Sequence, residues 1–308
     1  MKVLFVGLGS IGMRHFRDFT SLMRMDGRSF QADALRSSNT PITGVTGKSL
    51  TRVFHSTDEV PSDYDVIFIC NPTSLHYDTL DALKGKASYY FIEKPVFMDI
   101  SRPISDLNLP DDAVYYVACP LRFSPVLDRI KEIVDANEVA AVRAICSSYL
   151  PDWRPGTDYR QCYSARKELG GGVRLDLIHE LDYLTWIFGR PDSISSVYGK
   201  YSDLEMDVED LSFYTAVYPD KLLSLQIDYI GKPTRRAVEI VLKSGETIIG
   251  DIANGAVRFL HSGVIERRRP AEDVRLTEMR YFIDLLDGKA ENINDIYNAF
   301  NTLELALR

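Results

Sequence analysis

The four cysteines, Cys70, Cys119, Cys146 and Cys162, are few for 308 residues, and no two stand in a CxxC spacing. Their scarcity argues against zinc-binding patterns and against a disulfide framework, so a reducing, cytoplasmic setting with no metal is expected. No apolar run approaches the roughly 18 residues of a membrane helix, and no membrane association is expected. The chain opens on MKVLFVGLGS, one Lys and an apolar run. The glycines that follow make no leader cleavage site, and a buried strand is expected instead. Positive charge is also short: 36 Lys and Arg against 44 Asp and Glu leave a formal charge of −8. That balance counts against nucleic acid as a partner. The one dense basic run, ERRRP at 266–270, reads as a solvated turn. Internal repeats and low-complexity tracts are missing as well.

What is present is a chain of ordinary globular composition, 45% hydrophobic and 26% charged, long enough for two domains. KVLFV at 2–6 reads as a strand, and the helical pattern MRHFRDFTSLM follows GLGSIG. Gly7, Gly9 and Gly12 thus form a GxGxxG between a strand and a helix, the setting in which that pattern binds a dinucleotide. Gly7 serves a tight turn, Gly9 lets the backbone approach a pyrophosphate, and Gly12 lets helix and strand pack closely. The N–H groups at the helix start, around Ser10 and Ile11, then meet the phosphates. An NAD site usually carries an acid at the end of the second strand to hold the ribose 2′-OH. Here QADALRSS ends on Arg36, Ser37 and Ser38, and Asp33 stands too early. A guanidinium and two hydroxyls suit a 2′-phosphate, so NADP is favoured, with NAD as the alternative.

DVIFIC (65–70), SYYFIEKP (88–95) and AVYYVACP (113–120) read as further strands alternating with helical stretches. That alternation predicts a parallel, doubly wound sheet. Ligands of such sheets sit beyond the carboxyl ends of the strands. This places Asn71, Pro72, Thr73, His76, Glu93 and Lys94 along the cofactor cleft. From 193 onward come SISSVYGKYS, LSFYTAVY, LLSLQIDYI, RAVEIVLKS and ETIIGDI, with YPDK and KSGE as hairpin turns. An open antiparallel sheet with an apolar face needs cover, from helices on one side and a second subunit on the other. A homo-oligomer is expected.

GLGSIGMRH, NPTSLH, EKP and GGGVRLDLIHELD, in this order and spacing, resemble the Gfo/Idh/MocA oxidoreductases, among them glucose–fructose oxidoreductase and inositol dehydrogenase. The likeness runs over nearly the whole chain. It implies an α/β protein: a Rossmann domain, set here at 1–120, and an α/β domain with a large, mostly antiparallel open sheet at 121–308. The last helix is given the option of packing back on the first domain. The resemblance also implies NAD(P)-linked oxidation or reduction at a carbon of a sugar-like polyol. Its catalytic set of a Lys, an Asp and a His falls on Lys94, Asp176 and His179. Two further readings stay open, a non-catalytic NAD(P)-binding regulator and a redox-cycling lyase or glycosidase.

On a helix begun by the triple glycine, Leu177, Leu181, Leu184 and Phe188 take one side, while Asp176, His179 and Tyr183 share another. The glycines let another backbone or a ligand come close. One departure from the family spacing stands out: His179 follows Asp176 by three residues rather than four. Glu180 is therefore a rival for the histidine position, with His179 preferred as the base. Ahead of the glycines, SSYLPDWRPGTDYRQCYSARKELGGG (147–172) is dense in aromatics and arginines. It looks like a subgroup associated with bacterial surface-carbohydrate pathways. Trp153, Arg154, Tyr159, Arg160 and Tyr163 are the residues for an acidic or nucleotide-linked sugar, and a structural loop is the equal alternative. LRFSP at 121–125 is expected to stabilise the domain junction, with Arg122 within reach of substrate. The chain stops at NTLELALR inside a helical pattern, where the resemblance leads one to expect a further strand.

Overall fold

The computed structural model describes residues 1–38 and 44–308. They group into two compact units: 1–118 with 275–303, and 119–274 with 304–308. The return of the chain to the first unit near 275 has no composition shift to announce it.

The first unit is built on strands β1 (Lys2–Val6), β2 (Gln31–Leu35), β3 (Leu50–Phe54), β4 (Tyr64–Ile69), β5 (Ala87–Ile92) and β6 (Val114–Val117). They lie in the order β3-β2-β1-β4-β5-β6, with every pair parallel. This is the doubly wound arrangement, with its switch point between β1 and β4. A central parallel strand is covered on both faces, which explains why β1 and β4 are apolar runs rather than alternating ones. Its helices include α1 (Ser10–Met25), α2 (Gly44–Ser49) and α3 (His76–Leu83), and α1 buries Phe16, Phe19, Leu22 and Met23 against the sheet. An aromatic core follows: Phe5 stacks on Phe68 at 4.7 Å, and Phe282 of α7 (Val274–Leu286) meets Phe68 and Phe91 edge-on. Strand β3, LTRVF, escaped the pattern reading because only its ends are partly covered.

The second unit carries β7 (Val139–Ser147), β8 (Ser193–Gly199), β9 (Leu211–Val217), β10 (Leu222–Asp228), β11 (Arg235–Leu242), β12 (Thr247–Asp251), β13 (Ala256–Phe259) and β14 (Ile265–Arg267). Their order is β14-β13-β12-β11-β7-β10-β9-β8, antiparallel except for β7 beside β10. Hairpins form at YPDK and KSGE, as the turn residues predict. One face of the sheet is covered and the other is open. In β9, Ser212, Tyr214 and Ala216 are buried while Phe213 and Val217 are exposed. Helices α4 (Pro125–Ala136) and α6 (His179–Phe188) belong to this unit, and α4 packs on both α6 and β12. No helix among the described residues is long and apolar enough to cross a membrane.

Candidate active site

The glycine loop stands at the switch point of the first sheet. Gly7 has φ +81°, and a Cβ there would fall 2.6 Å from Asn71 Cα, just past β4. A Cβ at Gly12 would fall 1.9 Å from the Gly7 carbonyl oxygen. These two glycines therefore close the loop against its own backbone. At Gly9 a Cβ would meet no atom within 4 Å. Gly9 is also the N-cap of α1, with no side-chain cap and no acid in the first turn. The first N–H groups, those of Ser10, Ile11 and Gly12, are consequently open to an anion, as a dinucleotide diphosphate requires.

In the middle of β2, Asp33 is fully buried and engaged. Its carboxylate accepts from Arg52 Nη2 at 2.8 Å and from the Tyr64 hydroxyl at 2.6 Å. Burial, and then Asp33 itself, push the Tyr64 phenol up, so it stays a donor. Asp33 is thus a core acid. Arg36, Ser37 and Ser38 lie directly past the strand end, with Ser37 and Ser38 exposed. The Arg36 backbone is fixed between β3 and its neighbour: its N–H donates to Phe54 O, and its carbonyl faces His55 Nδ1 at 3.0 Å.

The loops after β4 and β5 are tied together by His76, which is 1% exposed. Its Nε2 lies 2.9 Å from Asn71 O, and its Nδ1 lies 3.1 Å from Pro95 O. Burial lowers its pKa. His76 is therefore a brace under the cleft, and its expected place on the cofactor is corrected: both ring nitrogens already face carbonyl oxygens. Thr73 is buried, Pro72 is exposed, and Asn71 donates its amide to Thr79 Oγ1 at 2.7 Å. Glu93 is likewise engaged, its Oε1 by His15 Nε2 at 2.5 Å and its Oε2 by the Lys94 N–H at 3.1 Å. Burial acts to raise this carboxyl, but the His15 bond and the charges of His15, Lys94 and Arg275 outweigh it and hold it low. Glu93 thereby anchors the backbone of half-buried Lys94, and the Lys94–Pro95 peptide is cis. His15 was not singled out beforehand, since only its place after the third glycine marks it.

In the second unit the single helix expected after the glycines is two pieces. Helix α5 (Val173–Asp176) ends at the acid, and α6 begins at His179. Between them Ile178 N–H donates to Leu175 O and Glu180 N–H to Leu177 O, bonds that span three residues. Such a tightened turn brings i and i+3 into register. The spacing that is one residue short is thus matched by a turn wound one residue tighter. Each glycine has its own task. Gly170 caps the preceding turn in the left-handed region, and Gly171 would otherwise meet Tyr163 O at 2.3 Å. Gly172, at φ +109°, would meet the Glu209 carboxylate at 2.7 Å. The close partner is another backbone and an acid of the same unit.

Two ion pairs pin the first turn of α6 on either side of His179, which is 8% exposed. Glu180, fully buried, lies 2.9 Å from Arg236 Nε. Asp182 accepts both Nε and Nη2 of Arg122, at 3.1 and 2.7 Å. Two expectations change here. Glu180 is committed to Arg236 and is no substitute base, and Arg122 gives its fork to Asp182. Tyr183 is fully buried, with its phenol raised by burial and then by Glu180, so it joins that cluster rather than the Asp176 face.

Asp176 is 9% exposed, and its Oδ2 accepts from Ser164 Oγ at 2.5 Å and Tyr229 OH at 3.2 Å. Neither hydroxyl was marked by sequence, since they lie 12 and 53 positions away. The loop before it folds as a series of short 3-10 turns. Trp153 stands edge-on to Tyr229 at 5.3 Å and donates to Ser148 Oγ. The Tyr159 hydroxyl accepts from Glu205 N–H. Arg160 is taken by Asp158 and Glu205, and its hydrogen bond holds the Asp158 carboxyl low. Tyr163 is half-buried. Arg154 differs: it is exposed and has no acid partner among the described residues. With Trp153, Tyr159 and Ser164 it lines a narrow crevice. Of the expected substrate arginines, only Arg154 has no acid partner among the described residues.

Residues 1–104 match the oxidoreductase family with an NAD-binding Rossmann fold, and residues 127–247 match the GFO/IDH/MocA C-terminal domain. The inositol 2-dehydrogenase of Rhizobium meliloti is 26% identical over 195 residues, 62% of this chain and 56% of that protein. The chain spans little more than half the length of such curated relatives. Among solved structures, an oxidoreductase of Thermotoga maritima covers all of this chain and 96% of its own, with a TM-score of 0.83 at 17% identity. The WlbA dehydrogenase from Bordetella pertussis, solved with NADH and UDP-GlcNAcA, covers all of this chain and 94% of its own, with a TM-score of 0.78 at 14% identity. Likeness at such identity speaks for the fold. With both domain matches and the Rossmann switch-point geometry in hand, this chain belongs to the GFO/IDH/MocA oxidoreductase family and carries its NAD-binding Rossmann fold.

Proposed function

We propose that the protein is an NADP-preferring oxidoreductase that moves hydride between the nicotinamide and a hydroxyl-bearing carbon of a sugar derivative. The observation that carries this reading is the open helix terminus behind Gly9, where there is room for a diphosphate and no side chain caps the N–H groups. NADP is preferred over NAD because Asp33 is spent in the core, and the residues at the strand end, Arg36, Ser37 and Ser38, are a guanidinium and two hydroxyls of the kind that bind a 2′-phosphate. When bound, the cofactor accepts or supplies the hydride. In the oxidative direction His179 takes the hydroxyl proton on a ring nitrogen, the role for which an imidazole is suited. The Lys94 ammonium donates to the substrate oxygen and stabilises its developing charge. Asp176 orients the imidazole or holds a neighbouring hydroxyl. Arg154, free of acid partners, favours a sugar with a carboxylate or phosphate. The WlbA structure, solved with a nucleotide sugar acid, supports that substrate class.

A second copy of the chain is proposed to cover the open face of the sheet, where Val197, Phe213 and Leu222 are exposed at 69%, 49% and 56%. A cytoplasmic place accords with four buried free thiols. The test of function is a turnover screen with NADP⁺ and NADPH against neutral, acidic and nucleotide-linked sugars. Turnover is expected with an anionic sugar and is lost in Lys94→Ala and His179→Ala. Cofactor binding without turnover of any sugar would overturn the enzymatic reading in favour of a regulator.

A further inference from the structure

We infer that Ser164 and Tyr229 are positioning residues that act through Asp176, joining the substrate loop to the catalytic acid. The inference rests on the role proposed for Asp176 above.

Both hydroxyls donate to the same carboxylate oxygen, Oδ2, at 2.5 and 3.2 Å. They come from different directions. Ser164 lies in the loop ahead of the glycines, and Tyr229 follows the last residue of β10. Both are deeply buried, at 3% and 0% exposure, so water does not compete for the carboxylate there. Burial, with the charges of Asp176 and Tyr163, pushes the Tyr229 phenol well up, and it remains a donor throughout the working range. Two donors on a carboxylate favour its ionised form and fix its plane.

The surrounding architecture is devoted to this arrangement. Gly172 N–H donates to Ser164 O, and Gly171 N–H to Arg166 O. A side chain at Gly171 would strike the carbonyls of Tyr163, Ser164 and Arg166. The glycines thus press the loop onto the start of α5, with Ser164 facing Asp176. Trp153 braces Tyr229 from the far side. Ser164 also lines the crevice that holds Trp153, Arg154 and Tyr159. A substrate group lying against the Trp153, Arg154 and Tyr159 side of Ser164 is one hydroxyl away from the acid. Substrate fit and acid geometry are therefore coupled through Ser164.

The test is the pH profile of kcat/KM for wild type, Ser164→Ala, Ser164→Thr and Tyr229→Phe. Losing one hydrogen bond to a charged group lowers kcat/KM roughly tenfold to a hundredfold. A carboxylate with one donor fewer ionises at higher pH, so the Asp176 carboxyl titration, followed by carbon NMR beside that profile, moves up by roughly half a unit to one unit. Ser164→Thr keeps the hydroxyl and restores both. NADPH affinity stays at the wild-type value in all variants. Tyr163 and Glu209, the other titratable groups that act on Tyr229, are untouched, so a shift common to both deletions traces to the lost hydroxyls. Reduced turnover with an unmoved Asp176 titration, or no rescue by threonine, would overturn the inference. If wild type turns over no sugar, the proposed function has failed. The inference is then read from the Asp176 carboxyl titration by carbon NMR, with Asp176→Asn for assignment. An identical titration in wild type and both deletions overturns it.

Discussion

Gly9 and Gly12 occupy the same six-residue motif, yet they do different work. A Cβ at Gly12 would fall 1.9 Å from Gly7 O, whereas one at Gly9 would meet nothing within 4 Å. Gly12→Ala is therefore expected to lower the melting temperature and abolish cofactor binding together. Gly9→Ala should leave the melting temperature unchanged and weaken NADPH binding by tenfold or more, roughly 1.4 kcal/mol. Thermal unfolding and fluorescence titration of the two variants check the contrast. The motif itself was readable because the need for each glycine is local. Ser164, Tyr229 and Arg236 were not, since each becomes functional through a partner that only the fold brings near. Asp33 shows the reverse: its position within the strand already set it apart from the residues at the strand end, and the structure gives it Arg52 and Tyr64 as partners.

At the level of elements, the alternating strands were legible from their composition, but the break between α5 and α6 was not. Apolar periodicity continues through Leu177 and Ile178 as if one helix ran on. Only the hydrogen bonds show that it tightens there. The Arg122–Asp182 pair holds α6 at 6% and 10% side-chain exposure. Arg122→Met leaves a buried carboxylate unpaired and should cost about 3–5 kcal/mol in urea unfolding. Adding Asp182→Leu should recover most of that loss, and no recovery would mean that the pair itself stabilises the helix. His76 makes the brace between the β4 and β5 loops sensitive to pH. Its pKa is lowered in the fold, so the unfolded chain binds the proton more readily. The stability it contributes is complete above the unfolded value, about 6.5, and is lost as pH falls below that value. Glu93, also lowered, contributes above its own unfolded value of about 4.3 and loses that contribution at lower pH. Unfolding midpoints should therefore fall between about pH 7 and pH 5 in wild type and flatten over that window in His76→Gln.

For the whole molecule, a parallel sheet and an open, mostly antiparallel one divide the work. In the proposed function the first offers a helix terminus to a diphosphate, and the second a carboxylate and a histidine on two short helices. The open face is expected to hold a second subunit, so sedimentation of wild type should report an oligomer, and Val197→Lys with Phe213→Asp a monomer. A monomeric wild type would contradict that assignment. The most direct test of the central claim is a fluorescence titration of NADPH and NADH on wild type and Arg36→Ala. NADPH should bind more tightly, and the substitution should weaken NADPH alone, by tenfold to a hundredfold for about 1.5–3 kcal/mol of charge-assisted bonding. Equal or tighter binding of NADH, unaltered by Arg36→Ala, would contradict the 2′-phosphate site; binding of neither nucleotide would contradict the hydride-transfer account altogether.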